Sequence, residues 1–167
     1  MTEVKSQSAN GSGDQSTEQY VTFLLNNETY GIGVLQVKEI VGIRSITAVP
    51  NSENYLKGVM NLRGTVVPVI DLRIKFGIPE KEYDSFTVIL IIEMKDFFVG
   101  VIVDSVSDVM AAPGQLQEVP NFNVSIDRDV IKGVFNKDNN LIIILNADIM
   151  LSIKDLETIA EMKDVLV

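Results

Sequence analysis

The sequence predicts a mainly β fold built from two small barrels. The longest apolar runs, at residues 88–92 and 141–145, have the length of strands and are far too short to span a bilayer. Short polar turns separate such runs, as expected for hairpins. The pattern occurs twice along the chain, with five or so short strands in each half. Because each half alone is small for a stable domain, the two halves are expected to pack against each other along an apolar seam.

An internal repeat relates the two halves. The segment Leu56-Lys57-Gly58-Val59-Met60-Asn61 matches Ile131-Lys132-Gly133-Val134-Phe135-Asn136, and the match continues without a gap through the next strand of each half. Earlier in each half, Tyr30-Gly31-Ile32 lies over Val99-Gly100-Val101. The repeat predicts that the two halves share their strand order and hairpin positions.

The first half is predicted to contain five strands and one short helix. The strands are predicted at residues 21–25, 29–34, 41–46, 59–62 and 65–70, and the helix at residues 71–76. Val34, Val37 and Val41 keep helical spacing, so a turn or two of helix is also predicted before the third strand. Arg63-Gly64 suits a two-residue hairpin turn. Pro68 has no N–H for a ladder and is expected at an edge, a bulge or a barrel corner.

The second half begins near Phe86 and is predicted to repeat this order. Its strands are predicted at residues 86–94, 97–103, 130–136 and 141–145, with a turn at residues 95–96. Val106 and Val109 repeat the short helical spacing of the first half. Residues 152–155 resemble a capping box, which predicts a C-terminal helix. The apolar residues expected on one face of this helix are Ile153, Leu156, and Ile159 or Ala160.

The domain boundaries follow from composition and from the repeat. Residues 1–18 are rich in Ser, Gln, Gly and Asn, so they are predicted to form a disordered polar tail. The tail lacks the apolar segment of a signal peptide. The first barrel is predicted at about residues 19–84 and the second at about 85–151, with strand exchange between them allowed. The C-terminal helix is predicted at residues 152–167.

The composition argues against an enzyme and against a nucleic-acid-binding protein. The 167 residues have a net charge of −9 and include no His and no Cys. Without His, the chain lacks the usual base for nucleophilic catalysis and the commonest metal ligand. An acidic chain also lacks the basic face that nucleic acids or anionic membranes require. No P-loop and no G-x-S-x-G motif occur, so no cofactor and no metal are expected.

Two segments contain Asp residues in arrangements that resemble metal-binding sites. Asp104 and Asp108 are spaced for one face of a helix, but no third ligand stands nearby, so a solvated acidic face is the favoured interpretation. Asp138-Asn139-Asn140 faintly resembles a calcium loop. It lacks the Gly and the distal Glu of such a loop, so a hairpin turn is favoured.

Arg63 and Glu39 are charged residues for which composition leaves a choice. Arg63 lies at a predicted hairpin tip, and the matching turn of the second half has Asp138 instead. Glu39 lies inside an apolar stretch. Each is either a solvated surface residue or a charged anchor of a contact surface, and composition alone favours the solvated interpretation.

Residues 58–72 resemble the N-L-R-G-x-x-x-P-x-x-D-L signature of the CheW-like domain family. The matching residues are Asn61, Leu62, Arg63, Gly64, Pro68, Asp71 and Leu72. Two further blocks, residues 30–40 and 99–109, resemble the family in the same order and at its spacing. The resemblance runs from about Gln19 to Leu151, so the polar tail lies outside it.

The resemblance implies a pair of five-stranded SH3-like β-barrels around a shared apolar core, with short helices. It also implies a non-enzymatic chemotaxis adaptor that couples chemoreceptors (methyl-accepting chemotaxis proteins) to the histidine kinase CheA and supports kinase activation. The receptors' cytoplasmic signalling tips would dock in the groove between the barrels, and the kinase's CheW-like regulatory domain would pair barrel to barrel. The residues expected to face the receptor are Val37, Glu39, Ile40, Arg63, Val88, Val106 and Val109.

The resemblance changes the favoured interpretation of Arg63 and Glu39 from solvation to binding. The first hypothesis is a free-standing cytoplasmic coupler that is recruited to membrane-associated receptor arrays and is monomeric when isolated. The second is a CheW-like module of a larger signalling protein, such as a CheV-type adaptor or the kinase's regulatory domain. Neither hypothesis involves nucleic acid or direct membrane insertion.

Overall fold

The computed structural model describes residues 18–50, 52–94, 97–118, 128–151 and 153–166, and strands dominate there, as predicted. The strands are β1 (Gln19–Leu25), β2 (Glu28–Gly33), β3 (Val37–Gly42), β4 (Leu56–Leu62), β5 (Thr65–Asp71), β6 (Val88–Glu93), β7 (Phe98–Val103), β8 (Ser105–Ala111), β9 (Ile131–Lys137) and β10 (Asn140–Leu145). The helices are α1 (Leu72–Lys75) and α2 (Ile153–Leu166), with 3-10 turns at Val34–Gln36, Arg128–Val130 and Ala147–Ile149. Residues 1–17 of the predicted tail, the predicted turn at residues 95–96 and Ser152 of the predicted capping box lie outside the described residues.

The strands form two five-stranded sheets, and each sheet takes strands from both sequence repeats. Sheet A has the order β9-β10-β2-β1-β8, and sheet B has the order β4-β5-β7-β6-β3. Sheet A combines the first two strands of the first repeat with the last three strands of the second, and sheet B does the reverse. The boundary predicted near residue 84 therefore separates the repeats but not the sheets, because the exchange runs in both directions.

Parallel pairing joins the exchanged strands inside each sheet. β10 runs parallel to β2, with Ile143 opposite Tyr30, and β5 runs parallel to β7, with Ile70 opposite Val101. A tight hairpin cannot connect parallel strands. Each of these pairs therefore brings together segments that are far apart in the sequence.

One residue pair links the two edges of each sheet. Beyond β3, Thr47 exchanges two backbone hydrogen bonds of 2.8 and 2.9 Å with Val59 on β4. Beyond β8, Gln117 makes the equivalent bonds, of 2.8 and 3.0 Å, with Val134 on β9. Gly58 allows the backbone at Thr47 to approach β4 this closely, because a Cβ at position 58 would lie 2.0 Å from the carbonyl oxygen of Thr47. Each bridge brings the chain that follows one edge strand against the opposite edge strand of the same sheet.

Three apolar clusters result from the alternation of side chains along the strands. On β6, Leu90 and Ile92 face a large cluster shared by the two sheets, whereas Ile89 and Ile91 face a cluster that belongs to sheet B. Sheet A has a corresponding cluster of its own around Phe135. The largest of these clusters is the shared one, which is the apolar seam predicted between the halves.

The two short helices predicted from valine spacing are wrong, because the spacing comes from β-bulges. Val37 lies on β3 and Val109 on β8, and both are edge strands. The pairing registers leave Lys38 and Ser107 as extra residues. An extra residue interrupts the two-residue alternation of a strand, so apolar side chains recur at three- or four-residue spacing. Of the first predicted helix, the 3-10 turn Val34–Gln36 remains.

The hairpins predicted from local turn residues are confirmed. β4 and β5 turn at Arg63-Gly64, where φ is 50° and 89°, and β9 and β10 turn at Asp138-Asn139, where φ is 53° and 66°. Two central residues with positive φ are typical of a primed turn, which was predicted at Arg63-Gly64. The short helix α1 also forms, with Asp71 as its N-cap. The strand predicted at residues 41–46 is displaced, since β3 ends at Gly42.

Pro68 lies inside β5, which is not an edge strand, and the bulge of the β4–β5 ladder lies between Leu56 and Gly58. Two of its three predicted positions, an edge and a bulge, are therefore wrong, and the barrel corner stays a prediction. Pro68 is opposite Val59, whose backbone groups both bond to Thr47, so this pair needs no N–H from the proline. The parallel ladder with β7 begins at Val69, whereas the matching ladder of sheet A includes Ile143. The proline thus shortens the ladder on its N–H side.

Helix α2 packs on the shared cluster. Ile159 is buried there, whereas Ala160 is exposed, so Ile159 is the residue of the two that faces the core. The buried Asp155 accepts a hydrogen bond from Lys75 Nζ on α1. The side chains of Ile153 and Leu156, also predicted on this face, lie outside the described part of the chain.

Candidate functional site

An ion pair joins the tip of the β4–β5 hairpin to edge strand β3. The Arg63 guanidinium donates two hydrogen bonds to Glu39, with Nη1–Oε1 at 2.9 Å and Nη2–Oε2 at 2.6 Å. Two parallel bonds to one carboxylate fix the relative orientation of the groups, which a single contact does not. The Arg63 side chain is 69% exposed and the Glu39 side chain 32%. The pair is therefore both oriented and accessible to a partner.

Local backbone chemistry places both members of the pair. Arg63 is the first residue of the hairpin turn, and its φ of 50° takes it off the line of β4. The second turn residue, Gly64, has φ of 89°, a conformation that glycine adopts more readily than other residues. Asn61 Oδ1 accepts a hydrogen bond from the Gly64 N–H at 2.8 Å. Glu39 follows the bulge residue Lys38 and pairs with Ile91 on β6.

Ile40 and Val109 are exposed apolar residues at matching positions of the repeat. Ile40 on β3 is 45% exposed, and Val109 on β8 is 49% exposed. Each lies two residues beyond the bulge residue of its strand. Single exposed apolar residues are common, but this pair recurs by the symmetry of the fold. Each sheet thus carries one apolar anchor on an edge strand.

Val37, Val88 and Val106 are half-buried and pack against the shared cluster. The predicted receptor-facing residues therefore fall into three groups. Glu39 and Arg63 touch each other, the three valines line one cluster, and Ile40 and Val109 lie on different sheets. The valines also belong to the core, so a substitution there affects stability as well as any surface.

A cleft of about 210 Å³ opens beside the Glu39–Arg63 pair, and sequence reasoning missed part of its lining. The buried Val67 and Ile91 line it, together with Lys38 and the exposed Phe98. Phe98 stands where the first repeat has Thr29. An aromatic residue in place of a threonine at a strand end was the available signal. The cleft offers an apolar surface next to the paired charges.

The second repeat has different chemistry at the matching positions. Asp138 takes the place of Arg63, and Asp108 takes the place of Glu39. The Asp108 carboxylate accepts a hydrogen bond from the Val109 N–H at 2.7 Å, so it is engaged locally. The corresponding positions of sheet A therefore carry two carboxylates, whereas sheet B carries an ion pair.

Most other residues of the sequence motif have structural roles. Leu62 packs against the cluster of sheet B, and Leu72 is fully buried in the shared cluster. The buried Asp71 caps α1 and accepts a hydrogen bond from the Tyr83 hydroxyl at 2.8 Å. Burial, followed by this bond, raises the pKa of Tyr83 above its usual value. These residues hold the hairpin and α1 in place behind the Glu39–Arg63 pair.

Arg73 and Asp104 form a second bidentate pair, and this one is largely buried. Arg73 Nε and Nη2 donate to the carboxylate at 2.8 and 2.9 Å, and Asn26 N–H donates to it at 2.9 Å. Burial alone would raise the pKa of Asp104, but the bonds from Arg73 and Asn26 outweigh burial and lower it. Asp104 and Asp108 share no helix face, so that prediction is wrong, and Asp104 is a structural anchor.

Two kinds of feature are absent from the described residues. No group of three or more His, Cys, Asp or Glu side chains is placed to hold a metal ion. No helix among these residues has the length and apolar character needed to cross a bilayer.

Comparison with known proteins finds close similarity over most of the chain. The model of the CheW-like domain matches residues 19–155. Chemotaxis protein CheW of Klebsiella aerogenes is 34% identical over 86% of this chain and 87% of its own length. Chemotaxis protein CheW of Bacillus subtilis is 40% identical over 80% of this chain and 86% of its own length. The crystal structure of scaffolding protein TtCheW from Thermoanaerobacter tengcongensis superposes with a TM-score of 0.75 at 31% identity, covering 83% of this chain and 90% of that one.

Proposed function

The chain belongs to the CheW-like domain family, and we propose that it couples chemoreceptors to the histidine kinase CheA by binding both at once. It is a chemotaxis scaffold protein and not an enzyme. The mechanism makes and breaks no covalent bond. The observation that carries the proposal is the oriented, accessible Glu39–Arg63 pair beside the exposed Ile40.

The proposed partner of this surface is the helical signalling tip of a chemoreceptor. A helix bound in a groove uses apolar anchors for affinity and a few charges to fix its register. Ile40 and Val109 supply exposed anchors, and Glu39 and Arg63 supply the charges. The half-buried Val37, Val88 and Val106 are proposed to line the groove behind them.

The kinase is proposed to bind elsewhere, through its own CheW-like regulatory domain and barrel to barrel. Simultaneous binding needs two separate surfaces, so the kinase surface is proposed to lie outside the groove residues of β3 and β8. Coupling of this kind is proposed to take place in the cytoplasm at receptor arrays.

A module of a larger signalling protein, such as a CheV-type adaptor or the kinase's regulatory domain, is the second candidate. The two relatives named chemotaxis protein CheW are matched over 87% and 86% of their own length. Their names favour the coupler over the module.

Arg63→Glu tests the receptor surface. The substitution removes both hydrogen bonds to Glu39 and places two carboxylates together. Because Arg63 is exposed, the free energy of unfolding should fall by only about 0.5–1 kcal/mol. A charge reversal inside a buried interface costs about 2–5 kcal/mol. Titration with a receptor signalling fragment should therefore show a loss of affinity of roughly 30-fold or more, while CheA alone still binds.

Lys132→Glu is the matched control. Lys132 is exposed and pairs with Glu18 at 3.3 Å, but it lies on β9 of sheet A. Its reversal should leave receptor binding unchanged. The double variant Glu39→Arg with Arg63→Glu should recover stability without recovering receptor binding. Normal receptor affinity in Arg63→Glu would contradict the proposal, and greatly earlier melting would make Arg63 a structural residue.

A further inference from the structure

We infer that Asn61 is a positioning residue that holds the β4–β5 turn in the conformation from which Arg63 reaches Glu39. Its side-chain oxygen accepts the Gly64 N–H at 2.8 Å, and no hydrogen bond of the described residues joins its side chain to Arg63 or Glu39. The inference rests on the proposed function for its binding consequence. Its structural part stands on the turn geometry alone.

The bond matters at this turn because Arg63, unlike the Asp and Asn of the matching turn, does not readily adopt its backbone conformation. Its φ is 50°, in the left-handed region where residues with a Cβ are strained. The next residue, Gly64, also has positive φ. The bond from the Gly64 N–H to Asn61 is formed in this conformation, so it stabilises the strained turn against alternatives with negative φ at Arg63.

The orientation of the guanidinium depends on that conformation. Arg63 makes two simultaneous bonds, of 2.9 and 2.6 Å, to the two oxygens of Glu39. Glu39 lies on edge strand β3, and Arg63 lies in the turn that follows β4, the opposite edge strand of sheet B, so the pair joins the two edges of the sheet. A change of φ at Arg63 would redirect its side chain, and the bidentate geometry would be lost.

The matching hairpin of the second repeat shows that the primed turn forms without this bond. Asp138 and Asn139 have φ of 53° and 66°, close to the conformation of the first turn. Asn136 occupies the position that matches Asn61, yet no hydrogen bond of the described residues joins its side chain to the Asn139 N–H. Asp138 stands at that turn in place of Arg63. Of the two matching hairpins, the one with the side-chain bond is therefore the one whose turn residue, Arg63, makes an oriented ion pair.

Asn61→Ala, Asn61→Asp and the control Asn136→Ala test the inference. Asp keeps an acceptor of the same shape, so it should preserve the bond to Gly64. The first readout needs no partner: the ¹⁵N and ¹H signals of the Arg63 guanidinium, which report restricted rotation in a bidentate pair. The second is the affinity for a receptor signalling fragment. We expect Asn61→Ala to average the guanidinium signals and to weaken the affinity about fivefold. Asn61→Asp and Asn136→Ala should match the wild-type protein in both.

The results test two claims separately, namely that Asn61 positions Arg63 and that Arg63 faces the receptor. Unchanged guanidinium signals in Asn61→Ala would overturn the positioning role. Equal losses in Asn61→Ala and Asn61→Asp would also overturn it, because the acceptor would then be irrelevant. Averaged guanidinium signals with unchanged receptor affinity would support positioning but contradict the receptor-facing role of Arg63. Melting curves of all three variants should stay close to that of the wild-type protein, since Asn61 is exposed.

Discussion

At the scale of single residues, the chain uses the same bidentate chemistry for two purposes. Glu39 and Arg63 lie on the surface, where an ion pair contributes little to stability but can orient a charge toward a partner. Arg73 and Asp104 lie largely inside the protein, where removing one partner leaves the other unsatisfied. The buried pair therefore belongs to the stability of the fold, and the exposed pair is the one proposed to serve recognition.

The lowered pKa of Asp104 predicts how the buried pair responds to pH. A carboxyl whose pKa is lower in the folded state contributes stability above its unfolded pKa of about 3.9. That contribution is lost as pH falls through the lower pKa of the folded state. Asp104→Asn should reduce the free energy of unfolding by about 2 kcal/mol at neutral pH. Urea titrations of both proteins should show this difference shrinking below about pH 4, and a constant difference would contradict the assignment.

At the scale of secondary-structure elements, the edge strands β3 and β8 are the informative pair. Each has a bulge at the matching position, and each exposes one apolar residue just beyond it. The bulge of β8 is braced by the buried Thr22, whose hydroxyl donates to Asp108 O at 3.0 Å and accepts from Asp108 N at 3.1 Å. The matching position in β6 is Ile91, so β3 lacks this brace and has the Glu39–Arg63 pair instead.

Removal of the Thr22 hydroxyl should loosen the β8 bulge. Thr22→Val keeps the shape of the side chain but leaves the Asp108 N–H without its acceptor, which costs about 1–3 kcal/mol. Hydrogen exchange at the Asp108 amide should become much faster in this variant. Thr22→Ser keeps the hydroxyl, so its Asp108 amide should stay protected. Equal protection in Thr22→Val and the wild-type protein would show that the bulge does not depend on Thr22.

The elements that sequence reasoning placed correctly are those determined by local chemistry. Arg63-Gly64 and Asp138-Asn139 form turns in which Gly64, Asp138 and Asn139 tolerate positive φ. The helices predicted at Val37 and Val106 failed because a bulge depends on the partner strand, which periodicity cannot show. Resemblance to a family singled out Glu39 and Arg63, but their contact across 24 residues was not predicted, and neither was the cleft beside Phe98.

At the scale of the whole molecule, the two repeats exchange strands, so the stability of each sheet depends on both repeats. Each sheet depends on strands of the other repeat for its parallel pairing. The shared cluster draws residues from both sheets and is closed by α2. The exchange could not be predicted from local patterns, because parallel partners such as Ile143 and Tyr30 are far apart in sequence.

The exchange predicts that neither sequence half folds alone. Residues 1–84 lack the strands that complete both sheets, and so do residues 85–167. Circular dichroism and NMR spectra of each fragment should be those of a largely unfolded chain. Mixing the two fragments should restore native-like spectra with one-to-one stoichiometry. A well-dispersed NMR spectrum from either isolated half would contradict the view of the two sheets as one cooperative unit.

The central claim is that this chain physically couples a receptor to CheA, and kinase activation measures that most directly. The assay follows CheA autophosphorylation with receptor-containing membranes while the chain is added in increasing amounts. The account predicts that activity rises when all three components are present, that it saturates with the chain, and that Arg63→Glu fails to raise it while Lys132→Glu succeeds. Activation that is equally strong without the chain, or equally strong with Arg63→Glu, would contradict the account.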